Sequence, residues 1–524
     1  MINNRFSSKM FSEFEHKHHC PPDDYIYTGK ETQTPDDDFV ICRNSDGIPT
    51  AIYGKHKWNL NPYSLSASKI TVMHFSAGLD KASAKEKENL ISEMKYLMFC
   101  LMYFVNSGHK GLLTPATLLN YFNMIRKVAQ FCVQMKENPL VGILSLKEVF
   151  SNQVYLSAVC KDNDSVTFNK KMPAFLNHLA SLSVEKVGFT AVQPSDLIFG
   201  SVDSEQHPVI PFRIYLAYMD EFEDKINHIY DNSENLTDFL LEFDDPLFGC
   251  SRGTQKSYNV GKKHLRPTFQ EAVETKKLTN LFNNICKINQ KKNLSAALTQ
   301  IYFLVKNIIH LYTGMRSEEV LRLPYDCLND YELTDDTLDD NDKVVDKAII
   351  INMLSTTTKF EGYKKSVSWL APEEVIKAVK VAKRISKAIS TMKGIEPSQR
   401  ILFESPSFIT HKTNLSSAVV LFDRVTDSFS SYYIDKNDFD QLVESDPERN
   451  FQDNPKFKIG SPWHLTNHQF RRSLAYYASN SGLVSMPTIK RQFKHTSLAM
   501  SRYYSRNFEK IKTIFGFYDE KKGE

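Results

Sequence analysis

The chain has 524 residues, 41% of them hydrophobic and 12% aromatic, with a formal net charge of +3. That length exceeds one ordinary domain and suggests about two to four, with enough apolar content for packed cores rather than a disordered polymer. No apolar run reaches the roughly 18–20 residues of a membrane span, and a near-neutral balance names no partner.

The eight cysteines stand apart with no C-x-x-C pair, which fits a reduced, cytosolic protein. The opening MINNRFSSKMFSEFEHKHHC lacks an apolar signal core, so export is not expected. Residues 1–85 carry Pro/Asp-rich pieces (PPDDY, QTPDDD) and predict an irregular or lightly folded N-terminal region. His16, His18, His19 and Cys20 cluster there, but no second ligand pair follows at zinc spacing, so no metal is expected.

Helical periodicity begins near Lys85. KENLISEMKYLMFCLMYFVNSG stops at Gly108, TPATLLNYFNMIRKVAQFCVQM opens on Thr114-Pro115, and FNKKMPAFLNHLASLSVEKVG follows. Residues 86–200 thus predict a helical domain. Its Lys110, Arg126, Lys127, Lys170 and Lys171 are either phosphate contacts or solvated helix faces. Residues 201–284 predict a further helix, PFRIYLAYMDEFEDKINHIYD, and then a basic stretch, DDPLFGCSRGTQKSYNVGKKHLRP. That stretch is either a DNA-facing linker or a surface loop, with Lys256, Lys262, Lys263 and Arg266 as candidate phosphate contacts. Charge is uneven along the chain. Asp220–Asp245 holds ten acids and one lysine, whereas Pro462–Glu524 holds eleven Lys/Arg against four acids.

The apolar run LTQIYFLVKNIIHLY leads into Thr313-Gly314-Met315-Arg316-Ser317-Glu318-Glu319. Gly314 is placed to end one helix, and Ser317 with the two acids to start the next. Arg316 is left at the junction, where a side chain can be aimed into a cleft. The strand AIIINML and its Thr-rich tail precede a turn at Glu361-Gly362, and APEEVIKAVKVAKRISKAI is a helix behind a proline. Residues 391–462 are polar and turn-rich. In NHQFRRSLAYYA, His468 and Arg471 are three apart on one helix face, and His495 precedes Tyr504 by nine residues. Arginine forks grip phosphate oxygens, histidine moves protons near neutrality, and an activated tyrosine forms covalent intermediates.

Four pieces in order, TGMRSEEVLRL, TTTKFEGYKKSVSWL, TNHQFRR and FKHTSLAMSRYY, resemble the boxes of the tyrosine recombinase (phage integrase) catalytic domain over residues 285–515. The resemblance implies a multidomain, mainly α fold. A helical core-binding, DNA-binding domain would occupy 86–200. A mixed α+β catalytic domain with a small β-sheet or hairpin would occupy 285–515, interrupted by an insertion at about 391–462 and followed by a tail over 516–524. It further implies that Arg316 and Arg471 clamp the scissile phosphate, His468 and His495 assist, and Glu319 braces the site. Lys359 would protonate the departing 5′ oxygen, and Tyr504 would attack phosphorus to give a 3′-phosphotyrosyl link. Such chemistry is positioning and charge stabilisation, without metal, cofactor or ATP.

The sequence departs from the family pattern at Lys494, where a glycine is usual, and that lysine is a further candidate DNA contact. Lys364 and Lys365 compete with Lys359, which is preferred for its place at the strand end. Tyr503 adjoins Tyr504, which matches the spacing. The implied protein is a site-specific recombinase or integrase of a mobile element in the bacterial cytosol or nucleoid. It would act on a specific double-stranded DNA site as a multimer, a tetramer, with accessory proteins left open. A type IB topoisomerase and a non-catalytic DNA-binding protein of the same fold are the alternatives. A helical scaffold would have no use for phosphate-gripping arginines.

Overall fold

A computed structural model describes residues 5–6, 20–28, 33–44, 46–64, 70–105, 113–138, 140–163, 165–199, 206–338, 344–357, 365–410, 429–480 and 486–493. These residues are mainly helical, with small antiparallel sheets. They fall into two compact units, one holding the described residues up to 199 and the other those from 206 onward.

In the first unit, β1 (Val40–Arg43) pairs with β2 (Pro49–Ile52), and β3 (Lys57–Asn59) pairs with β4 (Val72–His74), both antiparallel. The described residues between 20 and 79 are more than the lightly folded region the composition suggests. Trp58, Met73 and Phe75 are fully buried and join one core with the helices that follow. Trp58 meets Phe75 at 4.6 Å between ring centroids, and Phe75 meets Phe122 at 5.0 Å, so the aromatic residues supply the burial that short strands cannot.

Helix α1 (Ala84–Tyr103) begins where Glu86 accepts the Ser83 backbone N–H at 2.7 Å, a reciprocal cap. Helix α2 (Pro115–Gln134) opens on Thr114, whose hydroxyl accepts from the Thr117 N–H, with Pro115 at the first helical position. Helix α3 (Val166–Ala180) completes the trio expected from the sequence. Of the cations considered there, Lys170 is exposed, Arg126, Lys127 and Lys171 are half-buried, and Lys110 lies outside the described residues.

The second unit is built around α6 (Leu294–Thr313), which packs against α4 (Phe212–Asp231), α8 (Glu373–Met392) and α10 (Asn467–Asn480). Helix α5 (Ser233–Leu241) covers α8. Contrary to the first impression of the sequence, the stretch Lys291–Thr313 is long and apolar enough to cross a membrane, with mean hydropathy 1.2. Yet 72% of that window is buried within the protein, as in a core helix.

Residues 210–286, set apart in sequence as a helical segment and linker, belong to this same core through Ile214, Phe222, Phe239 and Phe282. The described parts of the 391–462 stretch also join it. Phe429 stacks on Phe303, and Leu402 and Phe403 are buried. Helix α9 (Lys436–Ser445) is tied to α4, with Arg213 bridging Asp435 at 3.1 Å and Asp438. Long-range ion pairs and aromatic contacts of this kind leave no periodic trace in the sequence.

A three-stranded antiparallel sheet stands beside the core in the order β5 (Leu328–Leu338), β6 (Val344–Thr357), β7 (Lys365–Ala371). Strands β6 and β7 form the expected hairpin, in register from Ile351 opposite Ala371 to Thr357 opposite Lys365. A short helix α7 (Ser317–Leu321) follows α6, and α11 (Met486–Phe493) follows α10.

Candidate active site at the arginine turn

The site begins where α6 ends. Gly314 has φ +63°, the left-handed conformation that glycine adopts without strain, and its N–H donates to the His310 carbonyl at 3.0 Å. A Cβ on Gly314 would also collide with the Phe493 ring, so both conformation and space require glycine.

Two residues on, the chain enters α7, with Arg316 rather than Ser317 as the residue at its N-terminal boundary. Glu319 accounts for the shift. Its carboxylate accepts the Arg316 backbone N–H at 2.8 Å with one oxygen and pairs with Arg316 Nη1 at 2.8 Å with the other. The Glu319 side chain is only 2% exposed, and the Ser355 hydroxyl on β6 donates to its carbonyl at 2.6 Å. Arg316 is thus fixed at both backbone and side chain. Its Nη2 is buried and has no hydrogen-bond partner among the described residues. A charged donor left over in a buried position is poised for an anionic acceptor.

Helix α10 brings the second arginine. Its first turn is set by Gln469, which accepts the Thr466 N–H at 2.9 Å, while the Asn467 amide donates to the Ser317 hydroxyl at 3.3 Å. Arg471 is 2% exposed; it donates to the Gly314 carbonyl through Nη1 and to the Phe493 carbonyl at 2.5 Å through Nη2. The guanidinium also lies 4.5 Å from the Phe493 ring centroid, a cation–π arrangement. One side chain therefore joins the end of α6, α10 and the end of α11. Gln492 adds to the tie, donating to the Thr313 carbonyl at 3.2 Å and accepting the Leu370 N–H of β7 at 3.4 Å.

His468 and Arg471 share the α10 face expected from their spacing but not the same surroundings. His468 is exposed and stacks on His207, at 4.9 Å between centroids and 17° between planes. Arg472 is buried and donates to the His207 carbonyl at 2.6 Å, while the Tyr477 hydroxyl donates to the Ile210 carbonyl at 2.6 Å. The segment 207–210 is thereby laid along α10. Burial, then the neighbouring His468, Arg472 and Arg449, push the His207 pKa down.

Sequence reasoning missed His310. It lies within the apolar run of α6, is 1% exposed, and its Nδ1 is 2.8 Å from the Met315 carbonyl. Burial first, then Lys306, with smaller effects from His468 and Arg471, push its pKa down to about 3. The only hint in sequence was the interruption of the apolar pattern by Lys306, Asn307 and His310.

Lys359, Lys364, Lys494, His495, Tyr503 and Tyr504 lie outside the described residues, as does the turn joining β6 to β7. Lys365 is the first residue of β7. A cleft of about 560 Å³ opens between β6, β7, α10 and α11, lined by Leu370, Leu474, Ile489, Gln492 and Phe493.

The basic stretch at 250–268 is a folded loop. Buried Gln255 accepts the Arg266 N–H at 2.8 Å and donates to the Cys250 and Arg266 carbonyls. Lys256, Lys262 and Lys263 are exposed, whereas Arg266 pairs with Asp245. Among the described residues no group of three or more His, Cys, Asp or Glu is placed to hold a metal ion.

No protein-family model matches the chain. No curated protein sequence matches it either. Solved structures similar to it include the XerH site-specific recombinase bound to difH substrate in a pre-cleavage complex. That match has a TM-score of 0.38 and 11% identity, and covers 82% of this chain and 97% of that one. XerH on palindromic difH in a post-cleavage complex matches with a TM-score of 0.34 and 13% identity, over 84% and 99% of the two chains. The XerA recombinase matches with a TM-score of 0.20 and 16% identity, over 54% and 100%.

Proposed function

We propose that the chain is a site-specific DNA recombinase, an integrase of a mobile element acting in the bacterial cytosol or nucleoid. The observation that carries this reading is the hydrogen bond from Arg471 to Gly314, which brings together two arginine blocks 157 residues apart in sequence. It gathers Arg316, Glu319 and Arg471 at one turn, with His468 on the first turn of α10. Always-charged donors fixed by a carboxylate and by backbone carbonyls suit a phosphate whose charge is redistributed during transfer, because they need no reorganisation as it reacts.

In this scheme Tyr504 attacks the scissile phosphorus. The bond from its Oη to phosphorus forms as the bond from phosphorus to the 5′ oxygen breaks; the phenol proton passes to one of the assisting histidines, and Lys359 gives the departing oxygen its proton. Arg316 and Arg471 hold the non-bridging oxygens, His468 and His495 assist, and Glu319 keeps Arg316 in place. Rejoining reverses the step with the 5′ hydroxyl of another strand as nucleophile. One phosphodiester-type bond replaces another, so no ATP is consumed. A complete exchange cuts four strands and calls for a tetramer on double-stranded DNA. Lys256, Lys262, Lys263 and Lys494 serve as phosphate contacts outside the reacting centre, while Arg266 holds the loop through Asp245.

The test is covalent trapping on a nicked suicide substrate made from DNA flanking the coding sequence. Wild type is compared with Tyr504→Phe and Tyr503→Phe on a denaturing gel. A protein–DNA band lost only in Tyr504→Phe supports the scheme, and loss only in Tyr503→Phe moves the nucleophile by one residue. Site binding by wild type without any covalent band would favour a non-catalytic DNA-binding protein.

A further inference from the structure

The Thr313–Arg316 turn has two consecutive peptide carbonyls, and a buried side chain holds each of them. Arg471 donates to that of Gly314, and His310 Nδ1 sits 2.8 Å from that of Met315. A carbonyl only accepts, so Nδ1 carries the proton and Nε2 keeps its lone pair. The ring stays neutral near physiological pH, since burial and the neighbouring Lys306, His468 and Arg471 all oppose a second proton. His310 Nε2 and Arg316 Nη2 are both buried without a hydrogen-bond partner among the described residues. Neither atom is hydrogen-bonded to any described residue. Among the described residues the Nδ1 bond is therefore the polar contribution of His310, and it falls on the peptide unit that immediately precedes Arg316.

We infer that His310 is a positioning residue for Arg316, its Nδ1–H fixing the Met315 peptide and with it the direction in which the arginine leaves the turn. What Arg316 then holds rests on the proposed function; the geometry at the turn does not. The role belongs to one ring nitrogen, and this separates it from space filling. Asparagine places an amide N–H at about the reach of Nδ1. Glutamine reaches instead toward the position of Nε2, and leucine fills the volume with no donor at all.

The experiment uses the full chain with His310→Asn, His310→Gln and His310→Leu. Three quantities are read: single-turnover covalent trapping on the nicked substrate, Kd for the same DNA by gel shift, and hydrogen exchange of peptides covering residues 313–322. The expected result is trapping within about threefold of wild type for His310→Asn. His310→Gln and His310→Leu should trap at least about tenfold more slowly at unchanged Kd, with faster exchange at the turn. Trapping and exchange at wild-type rates in His310→Leu would overturn the inference. So would equal impairment of His310→Asn and His310→Leu, which would mean that ring shape alone matters. If wild type itself forms no covalent product, the proposed function has failed and the exchange data decide alone. Faster exchange in His310→Leu but not in His310→Asn supports the inference, and equal exchange in the two overturns it.

Discussion

Two basic regions of the second unit use their cations in opposite ways. At the arginine turn, Arg316 and Arg471 are held from several sides by Glu319, Gly314 and Phe493, and both guanidinium groups are largely out of water. In the 250–268 loop the fold is held by buried Gln255, while Lys256, Lys262 and Lys263 point into solvent. A fixed, desolvated cation acts at one atom, and its removal disturbs both chemistry and fold. A solvated cation adds long-range attraction that salt screens. The first kind suits a reacting phosphate, and the second suits a DNA backbone.

The largest contrast comes from Arg471→Ala. It removes the donors to two buried carbonyls and, in the proposed scheme, one clamp on the phosphate. Urea unfolding should show a loss of about 3 kcal/mol or more, and covalent trapping should fall by about 10²–10³-fold. Gly314→Ala tests the same turn without touching a charge. The positive φ and the collision with Phe493 should lower stability by about 1–3 kcal/mol, read as a shift in the urea midpoint at unchanged slope.

A pH series examines the neutral ring inside this cationic site. His310 is held at about 3 in the folded chain, against an ordinary value of 6.5. The unfolded chain therefore binds the extra proton, so stability falls as pH drops below about 6.5, by up to about 1.4 kcal/mol per pH unit, and levels off near 3. Comparing wild type with His310→Asn between pH 7 and pH 4 isolates this component. The variant should lose less stability over that interval.

The smallest structural effect belongs to the exposed loop. Changing Lys256, Lys262 and Lys263 to glutamine should leave the urea midpoint within about 0.5 kcal/mol of wild type. The slope of log Kd against log salt should shrink by about 0.9 for each lysine that touches a phosphate. Trapping at saturating DNA should be unchanged.

Legibility in sequence follows the same division between local and long-range causes. Gly314 as a helix end, Arg316 at a junction, the β6–β7 hairpin and the start of α10 near Asn467 were all readable, because caps, turns and i, i+3 spacing are local. His310 was not, since a histidine in an apolar run gains its role only when the chain folds back and offers the Met315 carbonyl. Nor was the fate of Arg471, whose acceptors at Gly314 and Phe493 come from other elements. The N-terminal residues misled for a related reason. Three-residue strands show no period, and the burial of Trp58 and Phe75 depends on helices that follow in sequence.

The most direct test of the central claim is Arg316→Ala in the trapping assay, with DNA affinity measured alongside. Nη2 of this arginine is a buried donor without an acceptor among the described residues, and the proposed scheme assigns it to the scissile phosphate. The predicted result is a Kd within a few fold of wild type and a covalent yield about 10²–10³-fold lower. Trapping at the wild-type rate would contradict the account, because the arginine turn would then be a structural tie and not part of the chemistry.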